Sequence, residues 1–190
     1  MSQPRPRHLV VATGNPHKLL ELRLTLPGWE VEALGRDDAP AETGASYVEN
    51  ARIKAAFAHA HGPAGAWTAG EDSGIEATAL DGAPGIHSAR WADDGIARLL
   101  HELEGAADRS ARYVCAIVAI DPEGHELVAE GTLSGRIEGP PRGSDGFGYD
   151  PIFVPEGETR TVAELGSSWK RRHSHRARAA QALARLLAPS

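Results

Sequence analysis

The sequence of 190 residues holds a single cysteine, Cys115, so no disulfide can staple it from within. That scarcity fits a reducing compartment, and a cytoplasmic location is expected. Aromatic residues make up only 5%, so the core must be built mainly from Ala, Val, Leu and Ile. No apolar run approaches the ~20 residues that span a bilayer, which predicts no membrane helix. The leading MSQPRPRH has two arginines but no apolar stretch behind them, so no secretory signal is expected. Basic charge is also in deficit: 20 Lys and Arg against 26 Asp and Glu leave a net charge of −6. Binding to polymeric nucleic acid normally needs the opposite sign. A local basic pocket for a small anion stays open.

What is present reads as a mixed α/β fold. An apolar fraction of 41% over this length can bury a real core, in one domain or one domain with two lobes. His8 to Ala12 is short, β-branched and closed by Thr13-Gly14, as in a buried strand. Asn15 and Pro16 then open a helix, with Leu19, Leu20, Leu22, Leu24 and Leu26 expected on its apolar side. WEVEAL alternates as a second strand. Ser46 with Glu49 predicts a capping box and a helix running to His61. AWTAGEDSG reads as a strand that breaks at its acidic and glycine residues. IARLLHEL is a helix. ARYVCAIVAI and HELVAEGTLSGRI form an antiparallel hairpin around DPEG, and IFVP is a short strand. Thr161 with Glu164 starts another helix, and Ser174 caps the last one.

Four stretches carry chemistry. In ATGNPHK, the strand, glycine turn and helix start gather backbone N–H groups, the positive end of a helix dipole and Lys18 at one point, which suits phosphate. The spacing is neither a P-loop nor a dinucleotide fingerprint, and an ordinary turn with an exposed lysine also fits. In GEDSG, Glu71 and Asp72 are expected at a turn that can present hard oxygens to Mg²⁺. Asp72 could orient or deprotonate a water; a solvated Asx turn is the plain alternative. Glu42 in AETG is a further loop carboxylate. WKRRHSHRAR crowds Lys170, Arg171, Arg172, Arg176 and Arg178 around a helix start, where the dipole favours acids. A local rule broken by a whole group points to a polyanion or an oxygen-rich base. His173 and His175 lack zinc-ligand spacing. In GFGYDP, glycines can leave Phe147 open to stack on a nucleobase, whereas Tyr149 suits inward packing. Cys115 reads as core filling, Trp29, Trp67 and Trp91 as structural, and no Gly-x-Ser-x-Gly elbow supports a serine hydrolase.

Five stretches together resemble the inosine triphosphate pyrophosphatase family: ATGNPHK, ETGASYVENARIKA, GEDSGIEATALDGAPGIHSARWA, GFGYDPIFVP and WKRRHSHRARA, in that order and over most of the chain. The resemblance implies an elongated central mixed sheet with two α/β lobes flanking a nucleotide cleft, and a homodimer. It implies Mg²⁺-dependent hydrolysis of noncanonical purine triphosphates (ITP, dITP, XTP) to monophosphate and pyrophosphate. Carried over by position, Thr13, Gly14, Asn15 and Lys18 hold the triphosphate. Asp72 is the catalytic base and a metal-linked carboxylate, Glu42 is the other metal ligand, and Ser73 touches substrate. Phe147, Gly148, Tyr149 and Asp150 receive the base, and Lys170, His175 and Arg176 complete the base and phosphate contacts. Two positions depart from the pattern. Glu71 stands where many relatives carry aspartate, and the segment before the last helix is more basic. The expected partner is a nucleoside triphosphate, with no polymeric nucleic acid and no membrane. A nucleotide-binding sensor would need Lys18 and the basic cluster but not Asp72 and Glu42 in one metal site. A phosphatase for modified pyrimidine triphosphates would release orthophosphate instead.

Overall fold

The computed structural model describes residues 7–36 and 38–187. The leading segment, where no secretory signal is expected, lies outside the described residues but for Arg7 and His8. Six strands form one sheet in the order β2-β1-β3-β4-β5-β6. They are β1 Arg7–Ala12, β2 Trp29–Ala33, β3 Trp67–Ala77, β4 Ser110–Ile120, β5 Glu126–Ile137 and β6 Phe153–Pro155. β1 is parallel to β2 and β3, and β5 is antiparallel to β6, so the sheet is mixed, as expected. The helices are α1 Pro16–Thr25, α2 Tyr47–His61, α3 Gly95–Glu102, α4 Val162–His173 and α5 His175–Leu186. None among the described residues is long and apolar enough to cross a membrane.

The chain divides into two compact units. The first comprises Met1–Asp72, Cys115–Gly131 and Arg176–Ser190; its core includes Leu9, Val11, Leu22, Cys115, Ile117 and Leu183. The second comprises Ser73–Val114 and Thr132–His175, with Ile75, Leu99, Tyr113, Ile137, Ile152 and Phe153 at its centre. Aliphatic residues dominate the first core, as the shortage of aromatics predicts. Trp29 and Trp67 meet edge to face beside it, and Trp91 packs against the second core under the Arg98 guanidinium.

Several local expectations are corrected. The leucines of α1 do not share one side: Leu22 and Leu26 are buried, whereas Leu20 and Leu24 are half exposed. Residues four apart lie on one helix face, so the 22/26 pair and the 20/24 pair point in different directions. At α2, the Ser46 hydroxyl accepts the Glu49 N–H, but the Glu49 carboxylate accepts from Ala45 rather than Ser46. Only half of that capping box closes. At α4 the Thr161–Glu164 box closes fully, as expected. The largest correction concerns GEDSG, which is no turn. β3 runs unbroken through it, because each polar side chain of Glu71 and Asp72 finds a charged partner and leaves the backbone free to stay in the ladder.

Close packing of α2 on β3 explains a glycine that a strand would otherwise disfavour. A Cβ on Gly70 would lie 2.1 Å from the Ala51 carbonyl oxygen and 2.5 Å from the Ala55 nitrogen. The buried alanines Ala51, Ala55 and Ala58 form the matching helix face. Gly70→Ala should therefore push α2 off the strand, at a cost of about 1–3 kcal/mol or more. Urea unfolding of the variant measures it, and an unchanged midpoint would contradict the close fit.

Candidate active site

β1 ends at Ala12, and Thr13, Gly14 and Asn15 turn the chain into α1. The Thr13 hydroxyl accepts the Asn15 N–H, and Asn15 Oδ1 accepts from His17 and Lys18. Two of the N–H groups expected to face an anion are thus capped by Asn15 itself. Lys18 reaches from the first turn of α1 to Glu71, with Nζ 2.7 Å from Oε2.

Glu71 and Asp72 are neighbours on a strand, so their side chains leave opposite faces of the sheet. Asp72, 4% exposed, faces α2. Lys54 Nζ lies 2.9 Å from Asp72 Oδ1 and also pairs with Glu42 Oε1. Asn50, one helical turn before Lys54, donates to Asp72 Oδ2 at 3.2 Å and accepts the Gly44 N–H. It thereby ties the Glu42 loop to the strand. Burial pushes the Asp72 carboxyl above the ordinary aspartate range, and Lys54 and Asn50 offset only part of that. Burial alone would lower Lys54, but Asp72 and Glu42 hold its ammonium above the usual lysine range. The result is one cation clasped by two carboxylates.

On the other face, Glu71 is 2% exposed and Arg176 is 1% exposed. Arg176 Nε and Nη2 lie 3.2 and 3.1 Å from Glu71 Oε1, and Nη1 lies 2.6 Å from Glu21. Burial by itself would raise Glu71, but Arg176 and Lys18 hold it well below the usual carboxylate range. Cys115 Sγ is 3.2 Å from the same Glu71 oxygen. Burial pushes its thiol well up, with Glu71 adding to the effect, so it is a neutral core residue and no nucleophile.

In the second unit, the Gly146–Asp150 loop wraps around a carboxylate. Asp150 Oδ2 accepts from the Phe147 N–H and from Lys170 Nζ, each at 2.8 Å. Gly146, at φ +86°, must lack a side chain here, since a Cβ would lie 2.2 Å from Asp150 Oδ2. Lys170 Nζ also sits 4.4 Å from the centre of the Phe147 ring. Tyr149 packs inward, as expected, with its hydroxyl donating to the Ser88 carbonyl. Gly148 is exposed at φ +59°, and Ser73 is partly exposed within β3. His175 is buried and stacked on Tyr113.

The basic run also needs correcting. Lys170, Arg171 and Arg172 occupy the last turn of α4, where cations are favourable, whereas Arg176 and Arg178 stand in the first turn of α5, as expected. Arg171, Arg172 and Arg178 are exposed, whereas Lys170 and Arg176 are buried in specific ion pairs. The group is therefore two buried, ion-paired cations among exposed ones. Two other features involve none of these residues. A concavity of about 990 Å³ in the second unit lies over Glu76, Arg112 and Arg136, with Arg112 paired to Glu76 and Arg136 to Glu138. Asp121, Glu123 and His125 bring ligand-type atoms together at the β4–β5 turn, where Asp121 Oδ1 accepts the turn's own N–H groups.

The Ham1 family model matches residues 9–186. The chain belongs to the Ham1 family. It is 47% identical over 182 residues to a protein of Gloeobacter violaceus named dITP/XTP pyrophosphatase, covering 93% of this chain and 92% of that protein. The solved Ham1 protein of Staphylococcus aureus superposes with a TM-score of 0.85 at 35% identity, over 95% of this chain and 98% of that one. A nucleoside-triphosphatase / dITP/XTP pyrophosphatase from Mycobacterium abscessus matches with a TM-score of 0.73 at 41% identity, over 95% and 100%. Within this Ham1 chain, sequence reasoning missed Asn50, Lys54 and Tyr113. The first two carried a legible signal: polar residues four apart, flanked by Ala51 and Ala55, on the buried face of one helix.

Proposed function

We propose that this protein hydrolyses noncanonical purine nucleoside triphosphates, of the ITP, dITP and XTP class, to the monophosphate and pyrophosphate. The observation that carries the reading is the Asp72–Lys54–Glu42 cluster on one face of β3, in a member of a family whose named relatives are dITP/XTP pyrophosphatases. A raised, partly desolvated carboxylate suits a base that must take a proton and later release it. In the proposed step a water beside Asp72 attacks the α-phosphorus and gives its proton to the carboxylate. The bond from the α-phosphorus to the bridging oxygen breaks, and pyrophosphate leaves with that oxygen. Lys18 and Lys54 offset the charge on the phosphate oxygens.

The donor set fits Mg²⁺: two carboxylates already share a cation, in the form of the Lys54 ammonium, and hard oxygen ligands are what Mg²⁺ takes. Asp72 and Glu42 would hold it, and when bound it would neutralise phosphate charge. The base is assigned to the Phe147–Asp150 loop, with Phe147 stacking on the purine. Lys170 and His175 donate to a 6-oxo group. Adenine, with an amino group there, would leave those donors unpaired, which a buried site penalises strongly. Thr13, Gly14 and Asn15 line the triphosphate, Ser73 touches it, and Arg176 acts by holding Glu71. A homodimer in the cytoplasm belongs to the same proposal.

Incubating the purified protein with ITP and Mg²⁺ should yield pyrophosphate and IMP in equal amounts, with ATP a poor substrate. Orthophosphate in place of pyrophosphate would mark a stepwise phosphatase. Tight binding without turnover would mark a sensor.

A further inference from the structure

We propose that Tyr113 is a positioning residue that sets purine preference, its hydroxyl holding Asp150 and its ring holding His175. The inference rests on the function proposed above and deepens it. Tyr113 stands in β4 and is 7% exposed. Its ring lies parallel to His175, with centroids 4.5 Å apart and planes 6° from one another. It also tilts against Phe153 at 4.7 Å. Its hydroxyl donates to Asp150 Oδ1 at 3.2 Å.

A phenylalanine would fill this space equally well. Burying a hydroxyl costs free energy unless it is hydrogen-bonded, so the oxygen needs a reason beyond packing. That reason is the carboxylate it meets. Asp150 is the shared acceptor for Lys170 and for the Phe147 N–H. Whatever fixes Asp150 therefore fixes the ammonium, the stacking ring and their separation at once. The other side of the same tyrosine sets the tilt of His175. One side chain thus aligns both 6-oxo donors, from α4 and from the α4–α5 junction, with the loop that receives the base. Buried networks of this kind lose more than one bond when one member goes.

Tyr113→Phe keeps the ring and its stacking and removes only the O–H. The ratio of kcat/KM for ITP over ATP should fall about tenfold, chiefly through a higher KM for ITP. kcat at saturation should stay close to wild type, and Tm should fall only modestly, as expected for the loss of one buried hydrogen bond to a carboxylate. Tyr113→Leu also drops the stack on His175 and should lower the ratio further. Calorimetric affinities for IMP and AMP, read on the same three proteins, should show the same graded loss without depending on turnover. A flat series in either measurement, with folding intact, overturns the role of Tyr113. Wild-type protein that releases no pyrophosphate from ITP would defeat the proposed reaction instead, and the IMP/AMP ratios would still decide the tyrosine.

Discussion

Asp72→Asn should cut pyrophosphate release from ITP by about 10²–10⁴-fold while leaving nucleotide affinity within a few-fold. The amide keeps a partner in Asn50, and Lys54 stays paired to Glu42, so geometry survives and proton acceptance does not. Burial raises the Asp72 carboxyl, with Lys54 and Asn50 pulling it only part of the way back. A base works only when ionised, so the acid limb that this carboxyl gives kcat/KM should be missing from the variant's residual activity. The stability sign runs the other way. A raised folded pKa contributes stability below the unfolded value and loses it as pH rises through the folded value. At neutral pH the shift on Asp72 by itself favours a neutral side chain, while Lys54, raised chiefly by Asp72, loses one of its two carboxylates, so the asparagine variant should unfold close to the wild-type urea concentration. Turnover at the wild-type rate in Asp72→Asn would remove the residue from its assigned role.

Glu71→Gln should cost about 3–5 kcal/mol of stability, the usual consequence of deleting one partner of a buried ion pair. Arg176 is 1% exposed and divides its nitrogens between Glu71 and Glu21, while Lys18 closes on the other Glu71 oxygen. Without the carboxylate, Lys18 and Arg176 lose the counter-charge they share. The group is held well below its ordinary range, overcoming burial through Arg176 and Lys18. Its contribution is thus present above the unfolded value of about 4.3 and lost as pH falls through the depressed folded value. Wild type should hold its stability from neutral to mildly acidic pH and lose it at stronger acid, whereas the glutamine variant starts low and lacks that acid loss. Urea titrations across this range provide the measurement. Equal stability of the two proteins would deny Glu71 its part as the central counter-charge.

The two predictions separate residues that are adjacent in sequence, and the separation explains what could be read without a structure. GEDSG shows two carboxylates in a row, and the composition of the stretch reads as a turn that can present hard oxygens to Mg²⁺. A turn and a strand end share the same residue types, and only the pairing of β3 with its neighbours settles the backbone. Once it is a strand, alternation places Asp72 with α2 and Glu71 with α1 and α5. Similarly, the basic run was legible as a cluster, but its division into buried Lys170 and Arg176 and exposed Arg171, Arg172 and Arg178 depends on carboxylates far away in the chain. Asp150 lies 20 residues from Lys170, and Glu71 lies 105 residues from Arg176. The Asn50–Lys54 pair could have been found, since helical spacing alone puts the two on one face.

The sequence by itself determined the mixed α/β class, where the helices and strands begin, the family and the chemical types at the site. These follow from short-range rules: apolar periodicity, capping residues, glycine at tight turns, and motifs kept in order. Only the tertiary structure decided which charge meets which. A carboxylate's protonation and reach depend on its burial and on partners brought in by folding, and no local pattern encodes those distances. That is why the Asp72 carboxyl is held above its ordinary range and the Glu71 carboxyl well below its own, though the two residues are adjacent and carry the same group.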